Sequence, residues 1–516
     1  MTPAEVQRRP VITWLALFAA TFATFVLAFG LAMTKGLNHD EHQHLAAGVL
    51  LARDGLFPYR DYPYFHMPYL PAIYAGLFHF SEHVSEHLLG VARTFSAICA
   101  ALTVGLVVAL SLRADGKQRR ILQAAIAFGA ALLYVTAAQF THTTGRAWNF
   151  EAGTLCALAS FACYAAWLSR GSRWYLFGAG ALISLAAGIR ITFAPLAGAL
   201  LLLIWFDTAR AMRLRAFVFF SAGLVSTALP AMILALSAPE PFFTGNFGYA
   251  RIAYEYHMTS GHPRTMTVPK KLRYAFKEII RPNWPLVLSF ITAIGCLVLE
   301  RWRSGRTWDG RSRIVLIAFP FLFLGSLAPS PLHEQYFYPF LPWLVLGTVV
   351  AISAISAGTY QRRIALLTFL ACIVVATPLS FRRYRHLPKL RDPSAWTPSE
   401  IHGLGQLVAR KSLQPGPILT FSPTAALEGG RAIYPAFTTG PFAWRVAHLV
   451  PPEQRKKLRM IAPDDLVPLL ETSPPAACLT GMEEKFDEAI VDWATGAQFV
   501  PLRLSGRWIL WRPAPQ

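Results

Sequence analysis

The chain reads as a polytopic α-helical membrane protein of about eleven spans, carrying a small extracytoplasmic α/β domain at its C-terminal end. Three observations carry that reading. Of its 516 residues, 54% are hydrophobic and only 15% charged, whereas a soluble domain carries about 25% charged residues. The apolar residues come in long blocks: 11–33 and 121–140 hold no charge, and each is long enough to cross a ~30 Å hydrocarbon core as a helix. The basic residues gather in short turns between such blocks, which is the pattern that orients spans with those turns in the cytoplasm.

The first block is longer than the apolar region of a signal peptide and no small-residue cleavage site follows it, so it reads as a retained span. The basic turns are Arg113, Lys117, Arg119 and Arg120; Arg210, Arg213 and Arg215; and Arg301, Arg303, Arg306, Arg311 and Arg313. They account for much of the formal charge of +20 and argue for orientation rather than nucleic-acid binding. Spans then fall at 11–34, 88–112, 121–140, 150–168, 174–188, 191–206, 216–237, 284–299, 314–327, 338–357 and 364–379. Loops 35–87, 141–149, 238–283 and 328–337 lie outside the cytoplasm, as does everything after 380. Residues 1–380 form the transmembrane domain, 381–394 a linker and 395–516 the extracytoplasmic domain.

Residues 174–206 carry a single charge, Arg190. The stretch is too long for one span and too short for two full ones. It reads as two short helices turning at Gly188-Ile189-Arg190, which leaves a recess below the outer surface. A charge at that depth is costly unless it faces water or a partner, so Arg190 is a functional candidate. Five of the six cysteines lie in apolar spans and Cys478 alone lies in the tail, which therefore has no internal disulfide. In the tail, 417–421 and 476–480 read as strands, 464–472 and 483–493 as helices, and 499–503 with 508–511 as a strand pair.

The first outside loop is where chemistry concentrates. It opens Asn38-His39-Asp40-Glu41-His42-Gln43-His44 and continues through Gly55-Leu56-Phe57-Pro58-Tyr59-Arg60-Asp61 to His66-Met67-Pro68. Attack by a hydroxyl on a sugar–phosphate carbon needs a base for the proton and cations for the departing phosphate. Acids at the membrane surface with arginines at span ends supply both. Taken alone, the acidic pair reads as a helix N-cap. His39, His42 and His44 lack the i, i+4 spacing of two ligands on one helix face, although a divalent metal stays open.

The ordered set Asp40-Glu41, Gly55-x-x-Pro58-Tyr59-x-Asp61 and His66-x-Pro68 resembles the opening of the GT-C superfamily of polyprenyl-phosphate-sugar glycosyltransferases. Protein O-mannosyltransferases and the lipid A aminoarabinose transferase are among its members. The resemblance continues through Ser81-Glu82, Val91-Ala92-Arg93, Gly145-Arg146-Ala147-Trp148-Asn149, Gly188-Ile189-Arg190 and Tyr336-Phe337-Tyr338-Pro339. It covers roughly residues 11–380. It implies an inverting transfer of a hexosyl or pentosyl group from a polyprenyl-phosphate donor to an extracytoplasmic glycolipid, polysaccharide or protein, at the bacterial inner membrane. Asp40 is then the general base and Glu41 orients it or the acceptor. Arg93, Arg146 and Arg190 face the recess and grip the lipid phosphate, and Tyr59, Asp61, His66, Asn149, His333 and Tyr336 complete substrate binding. The sequence departs from many relatives where they carry an aspartate close after the Arg146 motif, a second catalytic carboxylate on which a metal could sit; Asn149 and Glu151 stand there instead.

A transporter or lipid flippase would place ionisable or broken segments at mid-membrane in matched halves, and no halves match here. An O-antigen ligase or polymerase would keep its key residues in a large late loop. Loop 238–283 carries Lys270, Lys271, Arg273, Lys277 and Arg281; Lys270 to Arg281 reads as an amphipathic helix on anionic headgroups, or as a clamp on a phosphorylated glycolipid acceptor. In the tail, Glu428 to Arg431 and Tyr434 to Phe442 hint at loops that help bind acceptor or cap the transmembrane part. Reporter fusions at residues 117, 210 and 306 should report cytoplasm and those at 60 and 450 the outside; a cytoplasmic signal at 450 breaks the eleven-span scheme.

Overall fold

The computed structural model describes residues 3–79, 87–113, 120–260, 265–412 and 414–514. The Ser81-Glu82 pair and Lys117 and Arg119 of the first basic turn lie outside them. In hydrocarbon every backbone polar group must be satisfied within its own segment, so apolar blocks become helices. Helix α1 is Pro3–Thr34; the first loop holds α2 (His39–Asp54) and α3 (Tyr69–His79). There follow α4 (Leu88–Leu112), α5 (Arg120–Thr136), α6 (Ala138–Thr143), α7 (Phe150–Arg170), α8 (Arg173–Ile189), α9 (Pro195–Asp207) and α10 (Arg213–Ser237). The next loop carries α11 (Pro239–Phe243), α12 (Tyr249–Thr259) and α13 (Val268–Tyr274). The bundle closes with α14 (Trp284–Ser304), α15 (Gly310–Leu327), α16 (Phe340–Ala354) and α17 (Tyr360–Phe381).

Among the described residues eight helices are long and apolar enough to cross a membrane, and α5, α8 and α9 are shorter apolar helices. Each of the eleven expected spans therefore has its helix, and the chain is a multi-pass membrane protein. One boundary moves. The block 121–140 is not a single helix, because the backbone opens at Ala137 and α6 starts afresh. The amide of Ala138 that this leaves free donates to Asn283 Oδ1 at 2.6 Å. The expected turn after α8 is present: Arg190 is extended, with φ −152° and ψ 117°, and one 3₁₀ turn leads to Pro195 at the start of α9. In loop 238–283 the helix α13 continues through a wide turn at 275–280, and Lys271 Nζ donates to the Leu327 and Ala328 carbonyls at the end of α15.

After α17 the chain runs back along α1 in short 3₁₀ turns, with Leu387 seated against Gly30. The tail comprises α18 (Thr397–Lys411), β1 (Ile418–Leu419), α19 (Pro423–Glu428), α20 (Pro441–Ala447), α21 (Pro452–Lys457), α22 (Pro463–Thr472), β2 (Ala477–Thr480), α23 (Glu484–Gly496), β3 (Phe499–Arg503) and β4 (Ile509–Pro513). Its sheet has the order β1-β2-β4-β3, with β1 and β2 parallel and the other pairs antiparallel. Strands and helices stand where the apolar runs place them; α18 to α21 come in addition. The tail docks on the first loop: Arg53 donates to the Leu427 carbonyl at 3.2 Å, and Glu428 Oε1 accepts the Leu89 amide at 2.7 Å.

Helices α8 and α10 cross through Gly180 and Gly223, where added Cβ atoms would collide with the Phe220 and Phe177 carbonyls. Gly295 in α14 has open space around it. Gly180→Val or Gly223→Val should therefore cost at least about 1–3 kcal/mol through overpacking. Gly295→Ala should be neutral or stabilise by up to about 1 kcal/mol. Thermal unfolding in detergent compares them; equal melting temperatures for all three would refute the close crossing.

Candidate active site

Adjacent in sequence, Asp40 and Glu41 meet opposite environments. Asn38 caps α2: its Oδ1 accepts the Asp40 amide at 2.9 Å, and Glu41 Oε2 accepts the Asn38 amide at 3.0 Å. The cap is thus a capping box of Asn38 and Glu41, in which the Asp40 side chain takes no part. Glu41 is fully buried and pairs bidentately with Arg93, Nε to Oε1 at 2.8 Å and Nη2 to Oε2 at 2.7 Å. Oε1 also accepts the Ala147 amide at 2.8 Å. Asp40 lies about 100° around the helix. Its side chain is 26% exposed, and the His39 ring stands 3.6 Å from it.

Arg93 corrects the expectation that it faces the recess. All five of its N–H groups are used, two on Glu41 and three on the carbonyls of Ala32, Lys35 and Gly36. It is fully buried and ties the end of α1 to α2 and α4. Glu41 likewise has no free oxygen to orient an acceptor.

Arg146 and Arg190 keep their charge available. Among the described residues neither has an ion-pair partner. Arg146 lies 4.6 Å above the Trp148 ring, and its buried Nε makes no hydrogen bond. Arg190 donates to the neutral oxygens Thr192 Oγ1 and Asn149 Oδ1, each at 3.0 Å. Its guanidinium sits over Phe150 at 4.1 Å and Tyr336 at 4.8 Å. Both arginines, with His333 and Tyr336, lie within electrostatic reach of Asp40. The His333 ring is 5.6 Å from Tyr336. Asp40, Arg146, Asn149, Arg190, His333 and Tyr336 thus come together.

Tyr59 and Asp61 do not join them. Tyr59 is buried at φ 66°, donates to the His66 carbonyl and accepts from Asn246 Nδ2 at 3.1 Å. Asp61 accepts the Phe57 amide at 2.7 Å and pairs with Arg60 at 2.8 Å, out on the loop surface. Both brace the loop. His66 sits behind the site, its ring 5.0 Å from His44, and burial together with Arg190 lowers its pKa to about 3. It is neutral at pH 7. Glu151 is buried and both its oxygens lack hydrogen bonds.

Three contributors escape sequence reasoning. Lys35, the first charge after α1, donates to the His142 and Thr144 carbonyls at 2.9 and 2.6 Å and lies near Arg146. Arg445 of the tail also reaches Asp40 electrostatically; its Nη2 bonds the Tyr249 hydroxyl at 3.0 Å, and it lies 4.4 Å over Phe442. Tyr249 in turn stacks on Phe65 at 4.0 Å. The only signal for Lys35 was its place at a span end, and nothing local marked Arg445 or Tyr249.

The histidines of the first loop do not gather around the acidic pair. His42 and His44 point away from Asp40, to Thr424 and Tyr64. Among the described residues no three His, Cys, Asp or Glu side chains form a metal-binding group.

Burial alone would raise the Glu41 carboxyl, but the charge and hydrogen bonds of Arg93 and the Ala147 and Asn38 amides hold it below the ordinary value of 4.5. A depressed carboxylate contributes stability that is present above its unfolded pKa and lost as pH falls below it. Glu41→Gln should cost about 3–5 kcal/mol at pH 7, because Arg93 is left buried and unpaired. The deficit should shrink below pH 4.5. Asp40→Asn should change stability by less than about 0.5 kcal/mol. Matching melting curves for the two variants would refute the distinction.

No protein-family model matches the chain, and no curated protein matches it in sequence. Its likeness is to solved structures. ArnT from Cupriavidus metallidurans in the apo state is 14% identical, with 98% of this chain and 100% of that chain covered and a TM-score of 0.64. The same protein bound to undecaprenyl phosphate is 15% identical, with 98% and 99% covered and a TM-score of 0.60. The oligosaccharyltransferase of Archaeoglobus fulgidus in the apo form is 12% identical, with 92% and 71% covered and a TM-score of 0.53. Over nearly its whole length, then, this chain has the fold seen in ArnT.

Proposed function

We propose that the protein is a membrane glycosyltransferase that moves one sugar from a polyprenyl-phosphate donor to a hydroxyl of an extracytoplasmic acceptor, with inversion at the anomeric carbon. The active face and the tail lie on the outer side of a bacterial inner membrane, as the basic turns indicate. One observation carries the reading: a partly exposed carboxylate, Asp40, in the electrostatic reach of three arginines, of which Arg146 and Arg190 have no carboxylate at ion-pair distance among the described residues. The similarity to ArnT in its undecaprenyl-phosphate complex supports the donor class.

In this reading Asp40 takes the proton as the acceptor oxygen bonds to the anomeric carbon. The bond from that carbon to the phosphate oxygen breaks, and its electron pair leaves with the polyprenyl phosphate. Arg146 and Arg190 hold the growing charge, since a planar guanidinium matches phosphate oxygens in pairs. Asn149 and Tyr336 keep Arg190 aimed, one by hydrogen bond and one by stacking. His333 lines the same face, and the tail closes it through Arg445.

Asp40→Asn cannot accept a proton, so turnover should fall by about 10²–10⁴-fold while donor affinity persists. Arg190→Ala should weaken donor binding by about 1.5–3 kcal/mol, the worth of hydrogen bonds to a charged group. Arg190→Lys should recover part of that. Steady-state transfer from a supplied polyprenyl-phosphate sugar, with donor binding measured separately, reads both. Undiminished turnover in Asp40→Asn would remove the base from the scheme.

A further inference from the structure

At the end of the bundle away from Asp40, helices α4, α7, α15 and α16 leave a crevice of about 780 Å³. Its wall is apolar, with Leu158, Phe161 and Ala162 from α7 and Val315, Trp343 and Leu346 from α15 and α16. Its mouth is basic. Arg113 follows α4, Arg170 ends α7, and Arg301 and Arg311 flank the turn between α14 and α15. The one acid among the described lining residues is Asp309.

Among the described lining residues the mouth sets four arginines against one acid. Arg301 is only 12% exposed and lies at ion-pair distance from Glu300 and Asp309, 3.8 and 3.9 Å, without a hydrogen bond to either carboxylate. Its Nε has no hydrogen-bond partner, and Nη2 donates to the Ala354 carbonyl at 3.3 Å. Arg311 Nη1 donates to the Arg113 carbonyl at 2.6 Å, which ties two of the turns together at the rim. Orientation in the membrane requires basic residues in the turns, but it does not require arginines of three turns to converge on one apolar slot.

We propose that this crevice binds an anionic phospholipid of the adjacent leaflet. The phosphate lies at the arginine mouth and one acyl chain lies between α7 and α16. Guanidinium forks suit the phosphodiester, and the apolar wall gives an acyl chain close van der Waals contact in place of its lipid neighbours. The site stands apart from Asp40 and does not depend on the glycosyltransferase reading.

The test uses the full chain, delipidated in detergent. Phosphatidylglycerol should raise the melting temperature by several degrees and remain bound in native mass spectra. Phosphatidylcholine and inorganic phosphate should do neither. Two variants should abolish the phosphatidylglycerol shift: the double variant Arg170→Gln with Arg301→Gln, which empties the mouth of two charges, and Ala162→Phe, which fills the slot and leaves all four arginines. If the double variant does not fold, Ala162→Phe decides alone. Equal shifts from the two phospholipids, a shift from inorganic phosphate alone, a shift retained in a folded variant, or displacement of the phospholipid by polyprenyl phosphate would each overturn the proposal.

Discussion

The geometry of the site depends on the buried pair between Arg93 and Glu41. Such a pair is a poor source of stability, because taking both charges out of water consumes most of their attraction. What it supplies is position. Arg93 gathers three carbonyls at the end of α1, and Glu41 gathers the amides of Asn38 and Ala147. Four stretches of chain therefore meet at one point, with no alternative arrangement that leaves neither charge stranded. With Glu41 locked inward at the third position of α2, Asp40 is turned outward, toward Arg146 and Arg190.

The same comparison separates spent from available charge among the arginines. Arg93 spends every N–H inside the fold. Arg190 is almost as deeply placed but is held by an amide oxygen, a hydroxyl and two aromatic faces, none of which cancels its charge. A sequence selected for stability alone would pair such a group or replace it. Positive charge held in place without a counter-ion is the property an anionic ligand needs, and it is kept here on a rigid support: the break between α8 and α9 fixes the Arg190 backbone, and Asn149 at the start of α7 fixes its guanidinium.

What the sequence made legible follows from how locally each feature is determined. Span positions were legible because hydrocarbon forces long apolar blocks into helices whatever their neighbours. The turn at Arg190 was legible from length alone, and the tail strands from short apolar runs between turns. Features set by distant partners were not. Nothing in Asp40-Glu41 says which acid is buried; that is decided by Arg93, more than fifty residues on, and by the Ala147 amide. Arg93, Arg146 and Arg190 look alike as span-end arginines and differ only in their surroundings. Tyr59 and Asp61 carry the expected motif, but their side chains are spent bracing the loop.

Arg445 belongs to this long-range class, and its place has a structural consequence. The tail is held to the first loop by His42 with Thr424 and Met482, by Arg53 with the Leu427 carbonyl, and by the Leu89 amide with Glu428. Each of these joins segments more than three hundred residues apart. Closing so long a loop costs conformational entropy before any contact repays it, so no single one of these bonds holds the tail; they form together or not at all. The surroundings of Asp40 are then complete only when both ends of the chain have folded onto each other. Arg445 reaches the carboxylate because the tail as a body is seated on α2, the helix that Glu41 and Arg93 have already fixed.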